Sequence, residues 1–586
     1  MKRQRTFFLV IIIAFCILLS RLFFLQIVRG DFFRQRSERN RIQLLSDAAP
    51  RGDICDRNGE ILVGSRPSFC VSLIPWLARN NIEEVLGRLS EIIDIDIDQT
   101  KSRIRNQRFR PFLPVPLAED ISPAVASRIL ECQMDFQGVF IQPKPWRNYP
   151  RGNVCAHILG YIQEIGEQDL ETLKDYGYDK GDYMGRAGIE RAYEEDLKGI
   201  DGGTEIEVDV LGRPAQSPRI LDRKEPIKGA DIILTIDRQI QEICEKMLEG
   251  NVGTVTVLDP SNGEIIAMTS KPDYNPDMFT SSIPKWKWRY MLNDRRHPFI
   301  NRAIQCTYPP GSVFKVVVAA AGLEKDIIGT EDTYKCEGEI DLGKRVYRCW
   351  KKKPGHGTVD LNKALAESCD VYFYQMGSRI GPRIISEYAG LFGLGNCSGI
   401  DIAGEKSGLV PNPSWKKELL GDRWFAGDSF NFSVGQGYML STPLQIVNMM
   451  SVFFNGGKLY QPHLLKATKK SDGEYIPFRE KLIGEISLRP QTVAVIKQAL
   501  TDVVAKGTGR LAFIKEAQVS GKTGTAQNST GRDHAWFVCY ASPVSGIAAD
   551  GARPLVLGIF LEGGGEGGKV AAPMAGRILH EIYKKQ

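Results

Sequence analysis

The chain has 586 residues, with 76 lysines and arginines against 70 aspartates and glutamates, 42% hydrophobic and 25% charged residues. That length exceeds one compact core and points to several domains, while the composition excludes a collagen-like or largely disordered chain. A net charge of +6 is small for this length, so no nucleic-acid partner is expected.

In chain order, Lys2, Arg3 and Arg5 precede an apolar stretch over residues 6–28, broken only by Ser20, Arg21 and Gln26. About 20 apolar residues cross a hydrocarbon core, and the flanking positive charges favour a cytoplasmic N-terminus. Residues 1–5 are therefore read as a cytoplasmic tail and 6–28 as a single transmembrane anchor. A cleaved signal peptide would have a shorter apolar run followed by an Ala-x-Ala site. Here the run continues through Leu22-Phe23-Phe24-Leu25 to Arg29 with no such site. The rest of the chain is expected beyond the inner (cytoplasmic) membrane, in the periplasm or extracytoplasmic space.

An arginine-rich stretch, 34–41, reads as a helix leaving the membrane. Asn58-Gly59 is a hairpin turn signal, with Glu60 to Val63 as the returning strand. Residues 45–225 alternate short strands and helices without catalytic motifs, a mixed α+β pedestal in which Gly185 to Tyr193 leads into a helix. The charged, turn-rich segment 222–229 is a domain boundary. Residues 228–586 read as one larger α/β domain. A strand at 232–236 is followed by a helix from Asp237 with apolar Ile240, Ile243, Cys244 and Met247. Strands at 253–258 and 264–269 flank the turn Asp259-Pro260-Ser261-Asn262-Gly263. A strand at 555–561 and a helix from Ala571 close the chain, so one sheet is expected to draw strands from both ends of the domain.

The strongest local signal is Pro309-Pro310-Gly311-Ser312-Val313-Phe314-Lys315, followed by an apolar run to Ala321. A stiff turn then leads into a buried helix, with Ser312 at its N-terminus and Lys315 one turn on, on the same face. A serine hydroxyl is a poor nucleophile unless a base takes its proton, and a lysine with a lowered pKa serves. Ser-x-x-Lys alone is weak: Ser414 to Lys417 repeats it, and Ser312 by itself equally fits an ordinary helix cap. Order adds the specificity. Ser368-Cys369-Asp370 and then Lys522-Thr523-Gly524-Thr525 follow in the same domain. This is the ordered trio of serine β-lactamases and penicillin-binding proteins. Lys506-Gly507-Thr508-Gly509 transposes threonine and glycine and is set aside. The glycine-rich segment 563–568 lacks the Ser/Thr of a phosphate loop after Lys569 and reads as a flexible loop.

Cys336, Cys349, His356 and Cys369 lie between the first motif and the second. Three thiolates and an imidazole make a closed tetrahedral zinc set. A Cys336–Cys349 disulfide closing a hairpin fits the residue chemistry equally well.

Over its whole length the chain resembles the class B penicillin-binding proteins, and among them the elongation type. The match runs through Arg51-Gly52-Asp53-Ile54-Cys55-Asp56-Arg57-Asn58-Gly59, Gly185 to Tyr193, Tyr308 to Lys315, Asp370-Val371-Tyr372-Phe373-Tyr374 and Ser433-Val434-Gly435-Gln436-Gly437. Asp370 departs from the asparagine of many relatives, and the elongation type often carries aspartate there. The resemblance implies a β-lactamase-like transpeptidase fold, an antiparallel sheet sandwiched by helices, on a non-catalytic pedestal or dimerisation domain. It implies a D,D-transpeptidase that crosslinks peptidoglycan stem peptides through a Ser312 acyl-enzyme and is trapped by β-lactams. Lys315 would be the general base, and the backbone N–H groups of Ser312 and Thr525 the oxyanion hole. Lys522, Thr523 and Thr525, around Gly524, would hold the terminal carboxylate, and Ser368 with Asp370 and Lys522 would pass a proton to the leaving D-alanine. It also favours zinc over a disulfide at the cysteine cluster, as a structural ion. The implied membrane partner is a separate, multi-spanning elongation glycan polymerase of the RodA type. A septal crosslinking enzyme of the same class is the runner-up, and a β-lactam sensor or a catalytically silent scaffold would be a different class.

Overall fold

The computed structural model describes residues 2–31, 42–106, 114–166, 168–170, 177–178, 181–207, 220–281, 283–528 and 531–584. The arginine-rich stretch at 34–41 lies outside them. Helix α1 (Lys2–Phe23) continues into a π-helical turn, Phe24–Val28. Its segment Phe7–Val28 has a mean hydropathy of 2.9 and none of it is buried. Among the described residues it is the one helix long and apolar enough to cross a membrane.

The chain divides into two compact units. The first holds residues 1–52, 65–147 and 198–230. In it, strand Ile42–Asp47 pairs antiparallel with Gly202–Glu207, which pairs with Ile220–Lys224. A second part is built where Phe69 to Leu73 pairs with the strand Val115–Ile121. Helix Ile82–Ser90 closes over it with Val85, Leu86 and Leu89, the i, i+1, i+4 spacing of one helical stripe.

The second unit is assembled from residues 53–64, 148–197 and 231–586. The sequence reading gave the first two of these segments to a contiguous pedestal, 45–225. Pairing and packing explain the difference. Ile232 and Ile233 pair in parallel with Ile54 and Cys55, and the Asn58-Gly59 turn folds Ile61 to Val63 back on them. Asp56 Oδ1 accepts from Asn58 N and Glu60 N at 2.8 and 2.9 Å, and Gly59 takes φ +86°. Ile158, Leu159, Ile189 and Leu197 share one core with Ile232, Leu234 and Ile236.

The centre of this unit is a five-stranded antiparallel sheet. Its strands are β1 (Gly253–Leu258), β2 (Ile265–Lys271), β3 (Ala517–Ala526), β4 (His534–Pro543) and β5 (Leu555–Leu561), in the order β2-β1-β5-β4-β3. Strands from the two ends of the domain lie side by side, and β3 is an edge. Side chains alternate between two cores, as period 2 requires. Leu555, Leu557, Ile559 and Leu561 join the core of helices α2 (Arg238–Leu248) and α6 (Ala571–Tyr583). Val556 and Phe560 join the opposite core, with helices α3 (Lys315–Glu324), α4 (Asp370–Ile380) and α5 (Pro443–Val452). Both sheet faces are covered, so every residue of β1 and of β5 is buried. Gly558 lets α5 approach: a Cβ there would lie 2.3 Å from Val447 Cγ2. A helix-sandwiched antiparallel sheet is the architecture that the resemblance implies.

Candidate active site and cysteine–histidine cluster

Three chain segments converge at the edge strand β3. The first is the turn before α3. Gly311–Phe314 forms a 3-10 turn, and the α-helix begins at Lys315. The spacing predicted Ser312 at the start of the α-helix; instead one tighter turn separates them. Gly311 has φ +57° and donates its N–H to Gly435 O at 2.9 Å, and a Cβ on it would sit 2.9 Å from Thr525 O. A glycine is therefore required on both conformational and steric grounds. Ser312 is half-buried between buried neighbours. Its hydroxyl has no hydrogen-bond partner among the described residues.

Lys315 is completely buried. Its Nζ donates to Asp370 Oδ1 at 2.7 Å, Ser368 O at 3.0 Å and Ser368 Oγ at 3.3 Å. The lysine expected to face Ser312 is thus held by the second motif. That motif lies between helix Leu361–Ala366 and α4. Ser368 has φ +56°, a left-handed conformation that costs a non-glycine residue roughly 1 kcal/mol or more. Two donors on its carbonyl hold it there: Lys315 Nζ, and Trp350 Nε1 at 3.1 Å. Trp350 also donates its backbone N–H to Asp370 Oδ2 at 3.0 Å.

The third segment is β3. Lys522, Thr523 and Gly524 pair with Val538, Phe537 and Trp536. Lys522 is completely buried, and its Nζ donates to Ser368 Oγ at 2.9 Å and Thr523 O at 3.1 Å. Burial and the neighbouring Lys315 charge push its pKa well below the ordinary lysine value, against an opposing pull from Asp370. Gly524 is the floor under the Ser312 turn, since a Cβ would lie 2.9 Å from Val313 Cγ2 and 3.1 Å from Pro310 O. The outer side of an edge strand offers unpaired backbone groups to an extended peptide.

Sequence reasoning missed three contributors. Trp350 carried no signal beyond following Cys349. Thr508, set aside with its transposed motif, has its Oγ1 2.6 Å from Thr523 Oγ1, and its N–H donates to Ala366 O at 3.1 Å. The glycine-rich segment is a loop, but not a free one. Gly567 N donates to Thr525 Oγ1 at 3.3 Å, and a Cβ on Gly567 would lie 2.3 Å from both Gly524 O and Trp536 O. Ser414 lies in the helix Pro413–Leu420 with its side chain exposed, far in character from Ser312.

Cys336, Cys349, His356 and Cys369 are all buried, and their ligand atoms lie within 4.8 Å of one another. None of these cysteines is in a disulfide. Cys336 pairs with Gly357 across two short strands, which brings His356 back over the sulfurs. Its Nδ1 is 3.4 Å from Cys336 Sγ and 3.5 Å from Cys349 Sγ. A tetrahedral zinc with ordinary bond lengths separates sulfur from nitrogen by about 3.5 Å, so the donors fit such an ion. Hydrogen bonds with Cys369 and His356 hold the Cys349 thiol well below its usual range, toward the anion a metal takes. The cluster joins the second motif directly: Asp370 N donates to Cys349 Sγ at 3.4 Å.

Comparison with known proteins agrees with this geometry. Residues 253–580 match the penicillin binding protein transpeptidase domain and 46–234 the penicillin-binding protein dimerisation domain. Peptidoglycan D,D-transpeptidase MrdA of Haemophilus influenzae is 34% identical over 615 residues, covering 100% of this chain and 92% of that protein. The protein of the same name from Acinetobacter baumannii is 33% identical over 536 residues, covering 90% and 78%. Among solved structures, the penicillin-binding protein (PBP2) in complex with MreC from Helicobacter pylori matches with a TM-score of 0.80 at 27% identity, covering 92% of this chain and 98% of that one. A chain of a peptidoglycan synthase complex, described as coordinating polymerization and crosslinking, matches with a TM-score of 0.74 at 28% identity, covering 99% and 98%. Matched along its length in this way, and with its three ordered motifs gathered at one sheet edge, the chain belongs to the class B penicillin-binding proteins of the elongation type.

Proposed function

We propose that this protein is a peptidoglycan D,D-transpeptidase of cell elongation, working through an acyl-enzyme on Ser312. One observation carries the reading: Ser368 Oγ lies within hydrogen-bond reach of both buried lysines, and among the described residues the Ser312 hydroxyl has no hydrogen-bond partner. Ser312 Oγ attacks the carbonyl carbon between the two terminal D-alanines of a stem peptide. Lys315 takes the hydroxyl proton as general base, once its own proton has passed through Ser368 Oγ to the deprotonated Lys522. Lys315, Ser368 and Lys522 form a continuous path that returns a proton to the departing D-alanine nitrogen as its C–N bond breaks. Lys522, whose pKa burial holds well below the ordinary lysine value, is suited to accept and release that proton. An amine of a neighbouring strand then attacks the ester carbonyl and gives up a proton, the bond between the acyl carbon and Ser312 Oγ breaks, Oγ takes a proton back through Lys315, and the crosslink is made. The backbone N–H groups of Ser312 and Thr525 would receive the oxyanion, and Thr523 and Thr525 would bind the terminal carboxylate. A β-lactam enters as a mimic of the donor.

The cysteine–histidine cluster is proposed to hold one zinc ion through Cys336, Cys349, His356 and Cys369, with no ligand position left for chemistry. Bound there, zinc would supply rigidity: Cys369 separates Ser368 from Asp370, so the ion braces both. The α1 segment is proposed as a single-pass anchor in the inner membrane, with the catalytic unit on the periplasmic or extracytoplasmic side. Glycan polymerisation is assigned to a separate membrane partner, a reading supported by the likeness to the synthase complex. The septal, sensor and scaffold alternatives find less support, since relatives matched over nearly the whole chain carry the MrdA name.

The test is labelling of the full-length protein in detergent with a fluorescent penicillin and mapping of the adduct. The label is expected on Ser312 and absent from Ser312→Ala. Labelling that survives the substitution sinks the proposal.

A further inference from the structure

The helix Lys285–Leu292 and the turn after it present a surface that the chemistry at Ser312 does not use. Trp286 and Tyr290 are 72% and 76% exposed, four residues apart and so on one helical face. Trp288, between them, packs instead on Phe279 and Phe299, with ring centroids 6.1 and 5.7 Å away. One indole thus anchors the helix while another ring pair faces solvent. Lys287, Arg289 and Arg295 are exposed, and among the described residues none of them forms an ion pair. The acid nearest them in sequence, Asp294, is already engaged by Arg296 at 2.9 Å. The patch therefore has uncompensated positive charge beside two rigid aromatic faces.

The patch is also fastened to the turn that carries Ser312. Arg302 is 3% exposed and donates to Arg296 O at 2.5 Å and to His297 O at 3.3 Å. Its Nε donates to Glu562 Oε1 at 3.1 Å, and Glu562 in turn accepts from the Tyr308 hydroxyl. Tyr308 opens the turn that carries Ser312. A buried arginine and a shared carboxylate thus tie the basic segment to the nucleophile's turn.

We propose that this face is an exosite for the peptidoglycan strand itself, a polymer of sugar rings bearing peptides with free carboxylates. The ring faces of Trp286 and Tyr290 take sugar rings, and Lys287, Arg289 and Arg295 take carboxylates. The inference rests on the transpeptidase reading for the identity of the polymer. Charge complementarity and the bonded link to the Ser312 turn favour this occupant. A crosslinking reaction engages only the peptide end in the cleft, and a second contact with the same strand raises its effective concentration there.

The test uses full-length protein in detergent and uncrosslinked, peptide-bearing glycan strands, with binding followed by fluorescence anisotropy. Two variants are compared, K287E/R289E and W286A/Y290A, with penicillin acylation of Ser312 as the control for folding and for the active site. Each variant is expected to bind strands about tenfold more weakly, as loss of a few exposed contacts would do, with acylation unchanged. In K287E/R289E the salt dependence of binding should also fall. Strand binding at wild-type strength in both variants overturns the exosite. So does binding to phosphatidylglycerol vesicles that the variants lose while keeping strand binding. Wild-type protein that fails to acylate would instead overturn the transpeptidase reading, so the two failures are distinguishable.

Discussion

Lys315 and Lys522 donate to the same oxygen, Ser368 Oγ, at 3.3 and 2.9 Å, and both lysines are completely buried. Two ammonium groups this close in a dry site repel each other, and one relief is for one of them to lose its proton. Asp370 Oδ1 is 2.7 Å from Lys315 Nζ and compensates that charge directly. Among the described residues Lys522 Nζ bonds only to Ser368 Oγ and Thr523 O, neither of them charged, and its pKa falls well below the ordinary lysine value. The site therefore separates two like residues into different roles by environment alone.

A pH dependence of stability follows. The folded pKa of Lys522 is depressed, so between it and the unfolded value near 10.4 the unfolded chain binds more protons. Stability should then rise with pH across that window, with a limiting slope of about 1.4 kcal/mol per pH unit for one proton. Lys522→Met removes the titrating group and should flatten that part of the profile. Denaturant melts of both proteins at several pH values check it, and parallel profiles would refute the assignment.

Trp350→Phe removes the indole donor to Ser368 O and Glu367 O but keeps the backbone bond to Asp370. Ser368 then keeps its left-handed backbone with one carbonyl donor fewer. The expected stability loss is about 1 kcal/mol. Penicillin acylation should slow by about tenfold, because the Ser368 hydroxyl loses its fixed place between the lysines. Stopped-flow acylation measures it, and a variant with wild-type acylation would reduce Trp350 to a surface residue.

Much of this arrangement was legible in the sequence, for reasons that differ from part to part. The β1–β2 hairpin is local, and its turn residues from Asp259 to Gly263 announce it. The order of Ser312, Ser368 and Lys522 marked the candidate set because each motif has its own local signature. What was hidden depends on long-range approach. Residues 53–64 join the catalytic unit only because Ile54 pairs with Ile232, a contact without local sign. The Lys315–Asp370 pairing arises from where α4 begins relative to α3. Thr508 looked like a failed motif until folding set it beside Thr523.

Removal of metal tests the cluster. Metal analysis of the purified protein should find one zinc per chain. Stripping it with a strong chelator leaves three sulfurs and an imidazole crowded within 4.8 Å with no cation among them. The melting temperature and the rate of penicillin acylation should fall together, because Cys369 lies between Ser368 and Asp370. Re-addition of zinc should restore both. Full acylation after complete removal would separate the cluster from the active site.

Gly567→Ala isolates the loop that backs β3. The φ of Gly567 lies outside the left-handed region, so alanine brings no backbone strain there, and its effect is steric. The added Cβ would lie 2.3 Å from Gly524 O and from Trp536 O, both backbone atoms of the central sheet that cannot swing aside. The loop must therefore lift, and its N–H leaves Thr525 Oγ1. Overpacking of this kind costs about 1–3 kcal/mol. The Thr525 hydroxyl loses the donor that orients it toward a substrate carboxylate, so acylation should weaken mainly through binding, in the apparent affinity for penicillin. Gly329→Ala is the control, since a Cβ there meets nothing within 4 Å and its φ is also outside the left-handed region; it should stay within about 0.5 kcal/mol of wild type. Equal effects of the two substitutions on melting and on acylation would mean that the loop does not support the strand.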